Sequence, residues 1–173
     1  MYDLHESIGV VDGTLGSCAG LQSCVSSFDD RPGHFIAPWS HDLASRDDAV
    51  RALTRAVEAF SGSIARVESS PTYAYVYATW RGWQGTDDVE FLLPEGDQTV
   101  VLRSAPRAQG VPDLGRNEQR LEQLRIRLGW EQVPILRNRQ RALLFVESPW
   151  DRFGPVPPND PDLRYNADLD AEQ

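Results

Sequence analysis

Three carboxylates and the arginines that follow them are the groups in this sequence whose types and spacing could do chemistry. Asp87, Asp88 and Glu90 fall within four residues, and Arg103, Arg107, Arg116 and Arg120 come just downstream, with Asp113 among them. Paired carboxylates act as general acid and base only when their environments push their pKa values apart. Neighbouring strand positions point to opposite faces, which separates Asp87 from Asp88, whereas Asp88 and Glu90 share a face. With arginines opposite, the acids fit three readings. They can form a charge network stitching sheet to helix, leave an arginine cluster that takes an anion, or build a hydrolase site on Asp88 and Glu90. The network is the simplest, and no catalytic residue is assigned.

A second group is aromatic. Tyr73, Tyr75 and Tyr77 recur at every other position, and Trp80 and Trp83 flank the turn Arg81-Gly82-Trp83-Gln84-Gly85. Such a row can line a ligand site, its rings giving an apolar body and its hydroxyls orientation, or it can pack under a helix. Cys18 and Cys24 are the two cysteines. Their spacing fits no zinc site, and His5, His34 and His41 complete none, so no metal or cofactor is expected. The pair can stand as two buried thiols or close a short loop worth at most about 2 kcal/mol. No nucleophile elbow, P-loop, dinucleotide glycine fingerprint or zinc-protease helix occurs.

The elements that must position these groups are legible in the periodicity. Residues 1 to 33 are glycine-rich and read as an irregular lead-in, with 1–17 outside the domain proper. His34 to Trp39 predicts a short strand ended by Pro38. From Arg46 the period changes: Val50, Leu53, Val57 and Phe60 form one helical face, Ser45 with Asp48 makes a near capping box, and Ser61-Gly62 stops the helix. Four strands are predicted next, Ser63 to Ser69, Thr72 to Trp80, Asp87 to Leu93 and Thr99 to Ala105, the last two forming a hairpin. A one-residue slip would exchange its faces. The register with Phe91 opposite Leu102 and Val89 opposite Ser104 keeps one face apolar and sets Glu90 against Arg103, a pair worth a fraction of a kcal/mol if exposed. A second helix is predicted from Leu114 to Leu128, with Leu114, Leu121, Leu124 and Leu128 as its stripe and Gly129 as its cap. Ala142 to Glu147 reads as a further strand, and 149–173 as a mobile, proline-rich acidic tail.

The order strand, helix, four strands, helix favours an α+β class, a curved antiparallel sheet with helices on one face, in a single domain over residues 18–148. The chain has 173 residues and a formal net charge of -9, with 40% hydrophobic and 25% charged residues. That charge argues against nucleic acid and anionic membranes as partners, and no apolar run reaches the roughly 18 residues of a transmembrane segment. Met1 to Leu15 lacks the basic start and apolar core of a signal peptide, so a cytoplasmic location is the default. Residues 103–141 hold nine of the 17 basic residues, all arginine, for a local charge of +5. This stretch can receive an acidic partner or face the protein's own acids.

These residues resemble the bacterial and plastid family known as domain of unknown function 1499. The matching blocks are Cys24-Val25-Ser26-Ser27, Asp87-Asp88-Val89-Glu90-Phe91, Arg103-Ser104-Ala105 with Arg107, and Asp113-Leu114-Gly115 with Asn117 and Arg120. The likeness spans about residues 18–128. Pro106 stands where the family usually has Ser, and Gln22-Ser23 replaces Pro-Asn. The resemblance implies no established activity. It does imply that the acid and arginine blocks belong to a shared pattern, that an exported or envelope-associated location is open, and that a Cys18 to Cys24 bridge gains weight. The element order is also similar to TATA-binding-protein halves and helix-grip ligand carriers, an analogy of fold alone. It points to a non-enzymatic module holding a small apolar or amphipathic ligand between sheet and helix. A protein-interaction or scaffold domain using the 103–141 arginines is the alternative.

Overall fold

A computed structural model of the chain describes residues 8–18, 23–83, 85–107 and 114–134. The chain divides into two units, residues 1–136 and 137–173, and the described residues all belong to the first. The predicted strand Ala142 to Glu147 and the acidic tail lie outside the described residues. Elements run β1 (Val10–Val11), β2 (Thr14–Leu15), β3 (Val25–Ser26), β4 (Trp39–Ser40), α1 (Arg46–Ala59), β5 (Ser63–Ser69), β6 (Tyr73–Gly82), β7 (Gly85–Pro94), β8 (Thr99–Pro106), α2 (Arg116–Leu128) and β9 (Glu131–Gln132).

Strands β5 to β8 form an antiparallel meander, and β4 then β9 continue the sheet beyond β8. The far end of β8 is paired instead by β3, with Val25 opposite Ser104 and Ser26 opposite Arg103. The β7–β8 register is the one that alternation predicts: Val89 with Ser104, Glu90 with Arg103, Phe91 with Leu102. This is an α+β protein with a large antiparallel sheet, as the run of consecutive strands indicates.

Alternation gives the sheet two apolar faces. On one, Ala74, Val76, Ala78 and Trp80 of β6, Val89, Phe91 and Leu93 of β7, and Val100 and Leu102 of β8 pack against Ala49, Leu53 and Val57 of α1 and Leu121 and Leu124 of α2. Trp39, fully buried, joins this core against Phe91 and Trp130. On the other face Tyr75 and Leu92 are covered by Val10 and Leu15 of the β1–β2 hairpin.

Local chemistry sets the helix ends. The Ser45 hydroxyl accepts from the Asp48 N–H at 3.1 Å, and Asp47 and Asp48 complement the positive end of the α1 dipole. At the other end Ser61 takes a left-handed conformation, φ 61°, and the Gly62 N–H reaches the Val57 carbonyl at 2.9 Å. Helix α2 closes on Gly129, φ 69°, as its position predicts.

Three local expectations are corrected. The strand predicted over His34 to Trp39 is confined to Trp39–Ser40, with Phe35 making only an isolated bridge to Ser26. Pro38 lacks the N–H that a longer ladder would need. Leu114 does not belong to the α2 stripe: it precedes the helix, at φ 55° and 84% exposed, and Asn117 takes the buried position. The lead-in is not wholly irregular, since it contains β1, β2 and β3.

Candidate functional site

The acids and arginines meet across the strands, and each carboxylate has its own guanidinium. Glu90 and Arg103 face each other on β7 and β8 under the β1–β2 hairpin, with Nη1 to Oε2 at 2.7 Å and both side chains at most 1% exposed. The Glu90 Oε1 also accepts from the Tyr75 hydroxyl at 2.7 Å and from the Gly9 N–H at 2.6 Å. The register is the expected one but the environment is not, for this pair lies in the interior rather than at an exposed margin. Burial, then the neighbouring Glu90, holds the Tyr75 phenol well above the usual range, so it serves as a hydrogen-bond donor at any ordinary pH. Arg66 of β5 lies over the Tyr75 ring at 5.2 Å.

Asp88 shares that face. Arg107 forks onto it, Nε to Oδ2 at 3.0 Å and Nη2 to Oδ1 at 2.8 Å, while the Tyr77 hydroxyl donates to Oδ1 at 2.6 Å. Asp87 points to the opposite, helix-bearing face, where Arg120 of α2 is hydrogen-bonded to it and Arg116 stands 3.9 Å away. Arg120 also donates to Asn117, which accepts from Ser104 at 2.6 Å and donates to the Ser23 carbonyl at 2.9 Å. The network therefore joins sheet, helix and the segment around the cysteines. Asp113 lies outside the described residues. Of the other arginines in 103–141, Arg125 pairs with Glu122 and Arg127 sits 4.5 Å over the Phe60 ring.

Cys18 and Cys24 form a disulfide, fully buried against Ala105. Asp29, absent from the sequence-level site, braces it: its carboxylate accepts from the Cys18 N–H at 2.9 Å and from Arg31 Nη2 at 2.7 Å. The Arg31 hydrogen bonds hold the Asp29 carboxyl far below the usual aspartate range despite burial. A depressed native pKa means the unfolded chain binds the proton more readily, so this contribution is complete above about pH 4 and is lost as pH falls below it. Acid titration of Asp29→Asn, followed by circular dichroism, should show a shallower loss of stability below pH ~4 than the parent does. An identical acid profile would contradict this.

The five aromatic residues of the sequence-level site do not share one environment. Tyr73, Tyr75 and Tyr77 line the face under the β1–β2 hairpin, not under a helix. Trp80 packs on the other face and donates from Nε1 to the Phe60 carbonyl at 2.9 Å. Trp83, at the tip of the β6–β7 hairpin, is 88% exposed. Among the described residues no group of three His, Cys, Asp or Glu side chains could hold a metal ion, and no helix is long and apolar enough to cross a membrane.

A cleft opens away from these aromatic residues. It measures about 580 Å³ and runs between Phe35, Ile36 and Ala37 and the polar row Glu118, Gln119, Glu122 and Gln123 of α2, with Gln132 of β9 beside them. Glu122 is fixed by Arg125, which holds its carboxyl below the usual range, so it stays ionised at neutral pH. The residue pattern singles out none of these α2 side chains, and a cleft made by two distant segments has no signal in either one.

Fold and site together define a small α+β domain with a buried ion-pair network and, among the described residues, a cleft between residues 35–37 and α2. The family model described as protein of unknown function DUF1499 matches residues 14–128, and the chain belongs to that family. Neither the curated proteins nor the solved structures contain a match to this chain.

Proposed function

We propose that the domain is a non-enzymatic binding module, and that its cleft between residues 35–37 at the sheet margin and α2 takes a small amphipathic molecule. The observation that carries this reading is the contrast between the two walls, Phe35, Ile36 and Ala37 against carboxylates and side-chain amides. The volume falls within the roughly 300–1,000 Å³ of small-molecule sites. An apolar body lies along the first wall, and a hydrogen-bond-donating or cationic head meets Glu118 and Glu122. The acids of the sequence-level site suit a structural role: Asp87, Asp88 and Glu90 each accept from an arginine, so each is already engaged in the network that ties sheet to helix.

Titration with dodecylamine, a cationic amphiphile, tests the reading. Calorimetry should show saturable binding near one equivalent, and Ala37→Trp, which fills the cleft from its apolar side, should weaken it about tenfold or more while the thermal midpoint holds. Absence of saturable binding, or equal binding by Ala37→Trp, would remove the cleft from consideration.

A further inference from the structure

One end of the domain carries the two most exposed large apolar side chains described: Trp83 at 88% and Leu114 at 84%. They come from different elements. Trp83 tips the β6–β7 hairpin, and Leu114 stands two residues before the first residue of α2. The two lie at the same end, because a Cβ built on Gly82 would meet Arg116 Nη2 at 3.5 Å, and the Arg107 N–H bonds to the Thr86 carbonyl at 2.9 Å. Leu114 adopts a left-handed φ of 55°, a conformation unfavourable for a bulky side chain.

The charge behind this tip is positive. Arg81, Arg107, Arg116 and Arg120 stand there against Asp87 and Asp88. Arg81 is exposed and has no ion-pair partner among the described residues, and the Arg107 side chain remains 47% exposed beside Asp88.

We propose that this end docks on the surface of an anionic phospholipid bilayer, with Trp83 and Leu114 entering the headgroup region and Arg81 and the exposed side of Arg107 meeting lipid phosphates. Tryptophan favours the membrane interface because its ring is apolar and its N–H polar, and arginine forks onto phosphate. The two terms act together, since apolar insertion by two side chains is weak without electrostatic attraction. Charges more than about 10 Å from the bilayer are largely screened at physiological salt, so the arginines at the tip outweigh acids that stand farther away. The proposal is independent of what occupies the α2 cleft.

Flotation of the full chain with vesicles of phosphatidylcholine containing about one third phosphatidylglycerol tests it. The chain should float with these vesicles and much less with pure phosphatidylcholine. Trp83→Ser, Leu114→Ser and Arg81→Glu should each lower the bound fraction about fivefold or more, with unchanged circular dichroism because all three side chains face solvent. Failure to float, as expected if the tip serves a protein partner, overturns the proposal. So does equal flotation with neutral vesicles, or flotation that none of the three substitutions alters.

Discussion

Arg103→Met is expected to lower the stability of the domain by about 3–5 kcal/mol, the cost of leaving a buried carboxylate without its counter-ion. Glu90 is fully buried, and its remaining hydrogen-bond partners, the Tyr75 hydroxyl and the Gly9 N–H, are neutral, while Arg66, over the Tyr75 ring, feels its charge without a hydrogen bond described to it. Neutral donors cannot replace a guanidinium at 2.7 Å. The loss should be smaller in the double variant Glu90→Gln with Arg103→Met, because the orphaned charge disappears and the amide oxygen still accepts from Tyr75. Chemical denaturation of the parent, both single variants and the double variant measures the coupling directly. A single Arg103→Met variant within about 1 kcal/mol of the parent would show that the pair is not the interior clamp described here. The same substitution should loosen the β1–β2 hairpin, which is hydrogen-bonded through Gly9 to Glu90, and hydrogen exchange at Gly9 to Leu15 would register it.

Gly62→Ala should cost about 1–3 kcal/mol, a large effect for one methyl group. A Cβ at this position would stand 2.6 Å from Trp80 Cζ2 and 2.7 Å from Val57 Cγ1. The indole cannot easily retreat. Its Nε1 is bonded to the Phe60 carbonyl, and the Arg120 guanidinium covers the ring at 5.5 Å. Displacing Trp80 would also disturb Arg120 on Asp87, so the strain spreads from the α1–β5 connection to the charge network. Thermal unfolding should show the loss, and Trp80→Phe in the Gly62→Ala background should recover part of it by vacating the space that the indole's second ring fills. A Gly62→Ala variant as stable as the parent would mean that the helix end yields freely.

The central part of this fold was readable from residue types because its signals are local. The α1 cap is a Ser three residues before an Asp, and the β7–β8 register has one solution that keeps Phe91 and Leu102 on an apolar face while opposing Glu90 and Arg103. The bounds of the short strands were not readable: Val25–Ser26 and Trp39–Ser40 are two residues each, too short for a period, and pairing with β8, and for Trp39–Ser40 also with β9, makes them strands. Leu114 and Asn117 exchanged places for a related reason. Asn117 falls four residues before Leu121, on the same helical stripe, but a polar residue there is read as outward unless its partners are known. Ser104, Ser23 and Arg120 supply those partners.

Alternation and helical period alone settled the α+β antiparallel class and the facing of Glu90 with Arg103, since each depends on residues within one strand, helix or hairpin. Which layer covers which face was decided only in three dimensions. The tyrosine row carries the pattern of a surface that some apolar element must cover, and nothing in the row says whether that element is a helix or the chain's own beginning. The contact that answers it runs from Gly9 to Glu90, 81 residues apart. Contacts of that span depend on how every intervening element packs, and they leave no periodic trace in the residues that make them.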